Sequence, residues 1–199
     1  MAGRPRSFDR DAAIDRFVNV FWSRGYSGTS VDDLQAAVGI NRSSFYAAFV
    51  DKETAYRQAL ARYFETVATT GLRSLASTAA PRAGLAAFIR FAGKFLASQR
   101  GNGCLLLSTI AHPPVVEDPA ALEHLTQDFQ KQIATHVRLC AKQGELLPGE
   151  TVPGLSAYVL TVALGLNGMS RSNSSAKSIR DAAELAARYL ENGTGRQAG

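Results

Sequence analysis

Arg42, Ser43, Ser44 and Tyr46 stand together at the start of a short segment that runs to about Phe49. An arginine offers a forked pair of donors to guanine, and a serine donates to or accepts from base edges. A tyrosine one helical turn on reaches a phosphate. Elsewhere, Cys104 follows Arg100 and opens an apolar run. A thiol at a helix N-terminus beside a guanidinium is held as thiolate and reacts readily. A thiol that serves as a small buried hydrophobe does not, and both readings of Cys104 are open. His136 and Cys140 are spaced to share a helix face, but two ligands do not make a metal site. His124 and His136 lie about 18 Å apart along one helix and face different ways. No nucleophile–base pair, phosphate loop or carboxylate dyad stands out, so the pattern argues against an enzyme. No metal or cofactor is expected.

The elements that must hold these residues read as helices. Asp9 caps a first helix whose apolar stripe is Ile14, Phe17, Val18, Phe21 and Trp22, ended by Gly25. Ser30 and Asp33 have the spacing of a capping box for a second, short helix with Leu34, Ala37 and Val38 inward. Gly39 breaks it, Ile40 packs inward, and Asn41 caps the segment from Arg42, whose inner face is Phe45 and Phe49. Two short capped helices on a tight junction form a helix-turn-helix, whose second helix presents its tip to a major groove.

Asp51 caps a long helix over 52–77, loosened at Gly71. Pro81 starts a helix to about Arg100 with a broad aromatic stripe. Helical stretches follow from Cys104 to about Ala111, from Pro119 to about Lys142 and over 155–170, and a last helix begins at Ser178 with Asp181. There is no strand alternation and no repeat. The fold class is all-α: an N-terminal three-helix bundle with the helix-turn-helix over residues 1–50, then a larger helical domain over 51–199, about nine helices in all.

The 199 residues are 46% hydrophobic and carry a net charge of +5, a globular composition compatible with a polyanionic partner. The charge is not concentrated at the front: residues 1–62 hold nine basic against seven acidic groups, the remainder thirteen against ten. Two cysteines are too few for a disulfide framework. With no signal-peptide pattern and no apolar run of bilayer length, the expected location is the cytoplasm, with no membrane partner. No acidic residue lies between Glu65 and Glu117, while Arg73, Arg82, Arg90, Lys94 and Arg100 do. A solvated basic face is the plain expectation for that stretch, an acidic effector the sharper one.

The phrases Phe21-Trp22-Ser23-Arg24-Gly25-Tyr26, Gly28-Thr29-Ser30-Val31, Ala37-Val38-Gly39-Ile40-Asn41, Phe45-Tyr46-Ala47-Ala48-Phe49 and Asp51-Lys52-Glu53 follow one another in order. In order and spacing they resemble the TetR/AcrR (tetracycline-repressor) family of regulators, with Phe45 where leucine is more usual. Gly103-Cys104-Leu105-Leu106 is similar to one branch of it. The resemblance implies a ligand-responsive, dimeric DNA-binding repressor, released from its operator by a small-molecule effector. It implies that Thr29, Tyr46 and Lys52 contact phosphates and that Arg42, Ser43 and Ser44 face bases. Arg4 and Arg6 would follow the backbone or a minor groove.

It also implies an effector cavity among the central helices. Phe64, Phe88, Phe91, Phe95, Cys104, Leu106 and Tyr158 are the candidate lining, although an aromatic stripe at helical spacing is also what plain core looks like. The dimer interface is expected on the last two helices, through Leu160, Leu164, Gly168, Leu185 and Tyr189. Two other functions stay open: a thiol-based sensor of oxidants or electrophiles through Cys104, and a nonspecific architectural DNA binder, which would need a stronger basic surface.

Overall fold

The computed structural model describes residues 8–192. Among these the chain is wholly helical: α1 Arg10–Arg24, α2 Val31–Val38, α3 Arg42–Phe49, α4 Lys52–Tyr63, α5 Thr69–Arg73, α6 Pro81–Ser98, α7 Leu105–Ala111, α8 Pro119–Lys142, α9 Val152–Arg171 and α10 Ala176–Asn192. A π turn, Phe64–Ala68, joins α4 to α5, and a 3₁₀ turn, Ser74–Ala76, extends them. These pieces make one rod, so the described residues form nine rods.

The helices of the N-terminal head start where side chains satisfy orphan backbone donors. Asp9 accepts from the N–H groups of Asp11 and Ala12, Asn41 from Ser44, and Asp51 from Thr54. Ser30 and Asp33 form a complete capping box. Each such cap stabilises its helix by about 1 kcal/mol. The head's core is aromatic. Phe17, Phe21, Leu34, Phe45 and Phe49 are buried. The Phe17 ring meets the Phe49 ring edge-on at 4.8 Å, and Phe21 meets Tyr56 of α4 at 4.9 Å. The core of the head therefore runs past residue 50 into α4. Arg62 of α4 reinforces this by pairing with Asp15 and Asp11 of α1 at 2.7 and 2.9 Å.

The body is organised around α6, with Leu85, Ile89 and Leu96 buried against α9 and α10. Four expectations are corrected here. The long rod is irregular at Phe64–Ala68, not at Gly71. Thr66, Thr69 and Thr70 turn their hydroxyls onto carbonyls four residues back, which strains the ordinary helical ladder. Gly71 instead makes room for Phe91, whose ring would stand 3.0 Å from an added Cβ. The last helix is capped by Ser175, whose Oγ accepts from the Ser178 N–H at 3.0 Å.

Two of the five basic residues of the supposed basic face are neutralised by carboxylates. Arg82 lies 6% exposed and pairs with Glu150, and Arg90 pairs with Glu184 and Glu191 of α10. Finally, α9 is one helix long and apolar enough to cross a bilayer by length and composition, yet only 28% of its most apolar stretch is buried. Asn167 and Ser170 sit on its inner side, hydrogen-bonded to the body, which places α9 as a packed helix of the bundle with one side uncovered.

Candidate nucleic-acid interface

The junction between α2 and α3 is built by Gly39. Its φ of 78° and ψ of 32° are left-handed, and its N–H closes α2 onto the Gln35 carbonyl at 2.8 Å. A side chain there would pay about 1 kcal/mol or more in strain. The Arg16 guanidinium then clamps the Ala37 carbonyl at 2.9 Å, fixing the end of α2 to α1. With α2 held, α3 buries Phe45 and Phe49 and turns the opposite side out.

That outer side carries the expected reading residues. Arg42 and Ser43 are exposed, and Ser44 is half-buried. Tyr46 is 40% exposed, with the Arg42 guanidinium over its ring at 5.6 Å. Asn41 Oδ1 accepts both the Ser44 N–H at 2.9 Å and the Ser43 hydroxyl at 2.8 Å. The Ser43 proton thus points into the cap, leaving its oxygen lone pairs outward as acceptors. The helix tip offers one forked donor, Arg42, and one acceptor, Ser43, to a groove.

Thr29 and Lys52 are placed differently from the expectation. Thr29 is 2% exposed, and its hydroxyl donates to the Gly25 carbonyl at 2.7 Å. Lys52 is half-buried, and its ammonium donates to the carbonyls of Tyr26 at 3.2 Å and Thr29 at 3.1 Å, 4.1 Å above the Tyr26 ring. Both residues brace the loop between α1 and α2. Arg4 and Arg6 lie outside the described residues. Sequence reasoning missed Arg24, which pairs with Asp33. The Ser30 backbone N–H and hydroxyl, and after them Arg24, lower the Asp33 carboxyl to about 2.

Phe88, Phe91, Phe95 and Cys104 line one apolar cavity with Val67, Ala68, Gly71, Leu107 and Phe129 among its other walls. Its volume is about 40 Å³, room for a few waters. The other three expected lining residues fall elsewhere. Leu106 is sealed in the core, one residue out of register with Leu107. Phe64 borders an open groove toward α8, and the Tyr158 ring packs on Tyr189 at 5.2 Å. Tyr189 is half-buried in that contact, whereas Leu185 stands 71% exposed and Gly168 is open. Leu160 and Leu164 are half-buried.

Cys104 does not have the surroundings of a reactive thiol. It is buried, desolvation pushes its thiol up, and Arg100 donates instead to the Ser174 carbonyl at 3.0 Å. The Tyr63 hydroxyl is buried beside it. Cys140 is buried as well, its thiol raised to about 11 by desolvation. His136 hydrogen-bonds to the Pro81 carbonyl at 2.8 Å, and His124 lies 3.2 Å from Asp128.

With this geometry in hand, comparison with known proteins is direct. Residues 14–65 match the model for bacterial regulatory proteins of the tetR family. The HTH-type transcriptional repressor ComR of Escherichia coli (strain K12) is 28% identical over 177 residues, which cover 87% of this chain and 84% of ComR. The HTH-type transcriptional repressor DhaR of Mycobacterium sp. (strain GP1) is 28% identical over 130 residues, 62% of this chain and 65% of DhaR. Among solved structures, a cysteine mutant of the TetR family transcriptional regulator CifR, complexed with 26-bp double-strand operator DNA, is 28% identical. Its TM-score is 0.77, with 94% of this chain and 98% of CifR covered. Residues 14–65 are thus a tetR-family helix-turn-helix segment, set in a chain that has the all-helical fold of the TetR-family DNA-binding transcriptional regulators.

Proposed function

We propose that this chain is a dimeric, sequence-specific transcriptional repressor that inserts the tip of α3 into the major groove of an operator. The observation that carries the reading is the outward pairing of Arg42 and Ser43 on a helix whose other side, Phe45 and Phe49, is sealed into the head. Arg42 would give its fork to guanine, Ser43 would accept from a base amine, and Ser44 and Tyr46 would follow the edge of the site. Arg4 and Arg6 would add contacts from the arm. Thr29 and Lys52 would act on phosphates only through the loop they brace. The repressors ComR and DhaR, and CifR bound to operator DNA, support the same reading.

The uncovered side of α9 with Leu185 of α10 is the proposed two-fold interface. A 20-residue helix this apolar, mostly unburied, is stabilised by a second copy laid against it. Two heads so paired would read half-sites about 34–36 Å apart. The apolar cavity behind Phe91 and Phe95 is the proposed effector site. At about 40 Å³ it would have to widen to admit an uncharged, apolar molecule, and that widening is what would couple occupancy to release.

Selection of duplexes from a random pool, alongside sedimentation of the wild type and of Leu185→Glu, tests the proposal. Enrichment of a two-fold symmetric site by a wild-type dimer, lost with dimerisation in Leu185→Glu, is expected. A monomeric wild type, or a pool that never enriches, would overturn it.

A further inference from the structure

Trp22 of α1 and Asn167 of α9 are joined through a single turn of chain, Gly101-Asn102-Gly103. The Trp22 indole N–H donates to the Gly103 carbonyl at 2.9 Å. One residue on, the Cys104 backbone N–H donates to Asn167 Oδ1 at 2.7 Å, and Asn167 Nδ2 donates to Ser108 Oγ at 3.2 Å. The end of α9 holds the rest of the turn. The Gly101 N–H donates to the Ser170 carbonyl at 2.8 Å, and Arg171 donates to the Asn102 carbonyl at 3.1 Å.

This turn is closely fitted to its partners. Asn167 is 3% exposed, and an amide buried to that degree destabilises unless it is bonded on both sides. Gly103 has φ of 66°, and a Cβ there would stand 2.5 Å from Asn167 Oδ1. The indole is held from the other side too, stacked on Phe95 at 6.1 Å and edge-on to Tyr63 at 5.1 Å.

Among the described residues, the head also meets the body through the rod that begins with α4. Its polar ties to the body leave from that rod: Tyr56 to Thr109 at 2.7 Å, and Glu53 to the N–H groups of Glu117 and Asp118. The rod itself is interrupted by the π turn at Phe64–Ala68. The ties from α4 hold the head against α7 and the segment before α8; the turn on Trp22 holds it against α9 as well.

We infer that Trp22 and Asn167 are positioning residues for operator recognition: the turn they share fixes each head against α9 and thereby sets the separation of the two recognition helices. The inference rests on α9 forming the dimer interface, as proposed above. It concerns where the heads sit, not how either one reads its half-site. Trp22→Phe keeps an aromatic ring beside Phe95 and Tyr63 while deleting the donor to Gly103 and part of the packed ring area. Gly103→Ala keeps the donor and drives a methyl group against Asn167.

The test uses a duplex selected from a random pool by the full-length wild type, and the same duplex with two base pairs inserted between half-sites. The insertion turns one half-site by about 70° relative to the other. The wild type is expected to lose roughly a hundredfold in affinity on insertion, and each variant less than about tenfold, a difference of more than 1.4 kcal/mol. The affinity for an isolated half-site is expected to match the wild type for Trp22→Phe, whereas a variant that merely disrupted the fold of the head would lose it. A dimeric wild type whose spacing preference survives intact in both variants overturns the inference alone. A wild type that sediments as a monomer, or has no spacing preference, overturns the dimer reading and the inference with it.

Discussion

Arg82 and Glu150, far apart in sequence, form a two-pronged ion pair at 2.6 and 2.9 Å beneath the start of α6. Both side chains are nearly closed off from solvent, and Arg82 adds a hydrogen bond to the Glu145 carbonyl. The pair ties the loop before α9 to α6. Removing one partner leaves the other charge buried and uncompensated, at a cost of about 3–5 kcal/mol. Arg82→Ala is therefore expected to lower the stability of the chain by about 3 kcal/mol. Arg82→Met with Glu150→Leu, which removes both charges, is expected to cost less than the single change. Urea unfolding of both variants measures this; a single change that costs no more than the double would contradict it.

Acid should weaken the protein through these same carboxylates. Hydrogen bonding from Arg82 lowers the pKa of Glu150, and hydrogen bonding from Arg90 lowers those of Glu184 and Glu191. Asp33 is lowered to about 2, chiefly by the Ser30 backbone N–H. A carboxylate whose pKa is depressed by folding stabilises above its unfolded value, and the contribution is lost as pH falls through the folded value. The melting temperature is thus expected to be level above about pH 5 and to fall steadily from about pH 4 toward pH 2. Glu150→Gln should flatten part of that fall. A melting temperature that rose on acidification would have the wrong sign.

Much of the head was legible because its determinants are local. Ser30 with Asp33, Asn41 before Arg42 and Gly39 between the short helices announce caps and a left-handed turn within a few residues of themselves. The inward Phe45 and Phe49 follow from helical spacing. What could not be read are relationships set by tertiary packing. Arg82 and Arg90 read as solvated because their carboxylate partners lie far along the chain, in the loop before α9 and in α10, beyond any periodicity argument. Leu106 and Leu107 exchange core and cavity roles through a rotation of α7 by one residue. For Thr29 and Lys52 the family resemblance implies phosphate contacts, and only the fold of the loop reveals that the Thr29 hydroxyl and the Lys52 ammonium are engaged within the protein.

Val50, between α3 and α4, holds φ of 64° and ψ of −59°, with the Asp51 N–H closing onto the Phe49 carbonyl at 2.7 Å. A β-branched residue in this tight turn stores about 1–3 kcal/mol of strain. Its side chain is 67% exposed, so little packing is lost on removal. Val50→Gly is expected to stabilise the protein by about 1 kcal/mol after the glycine's greater unfolded-state entropy is allowed for. An unchanged or lower urea midpoint would contradict the strain.

Both cysteines are buried thiols with raised pKa values. A disulfide reagent at pH 8 is expected to modify neither within minutes in native protein, and both at once in urea. Rapid labelling of Cys104 in the native state would restore the case for thiol sensing.

The most direct test of base reading by α3 is the affinity of wild type and Arg42→Ala for a selected duplex and for that duplex with its half-site guanines replaced. Arg42→Ala should cost about 1–3 kcal/mol on the selected duplex and nearly nothing further on the replaced one, erasing the discrimination. If Arg42→Ala distinguished the two duplexes as sharply as the wild type, the tip of α3 would not be the reading surface.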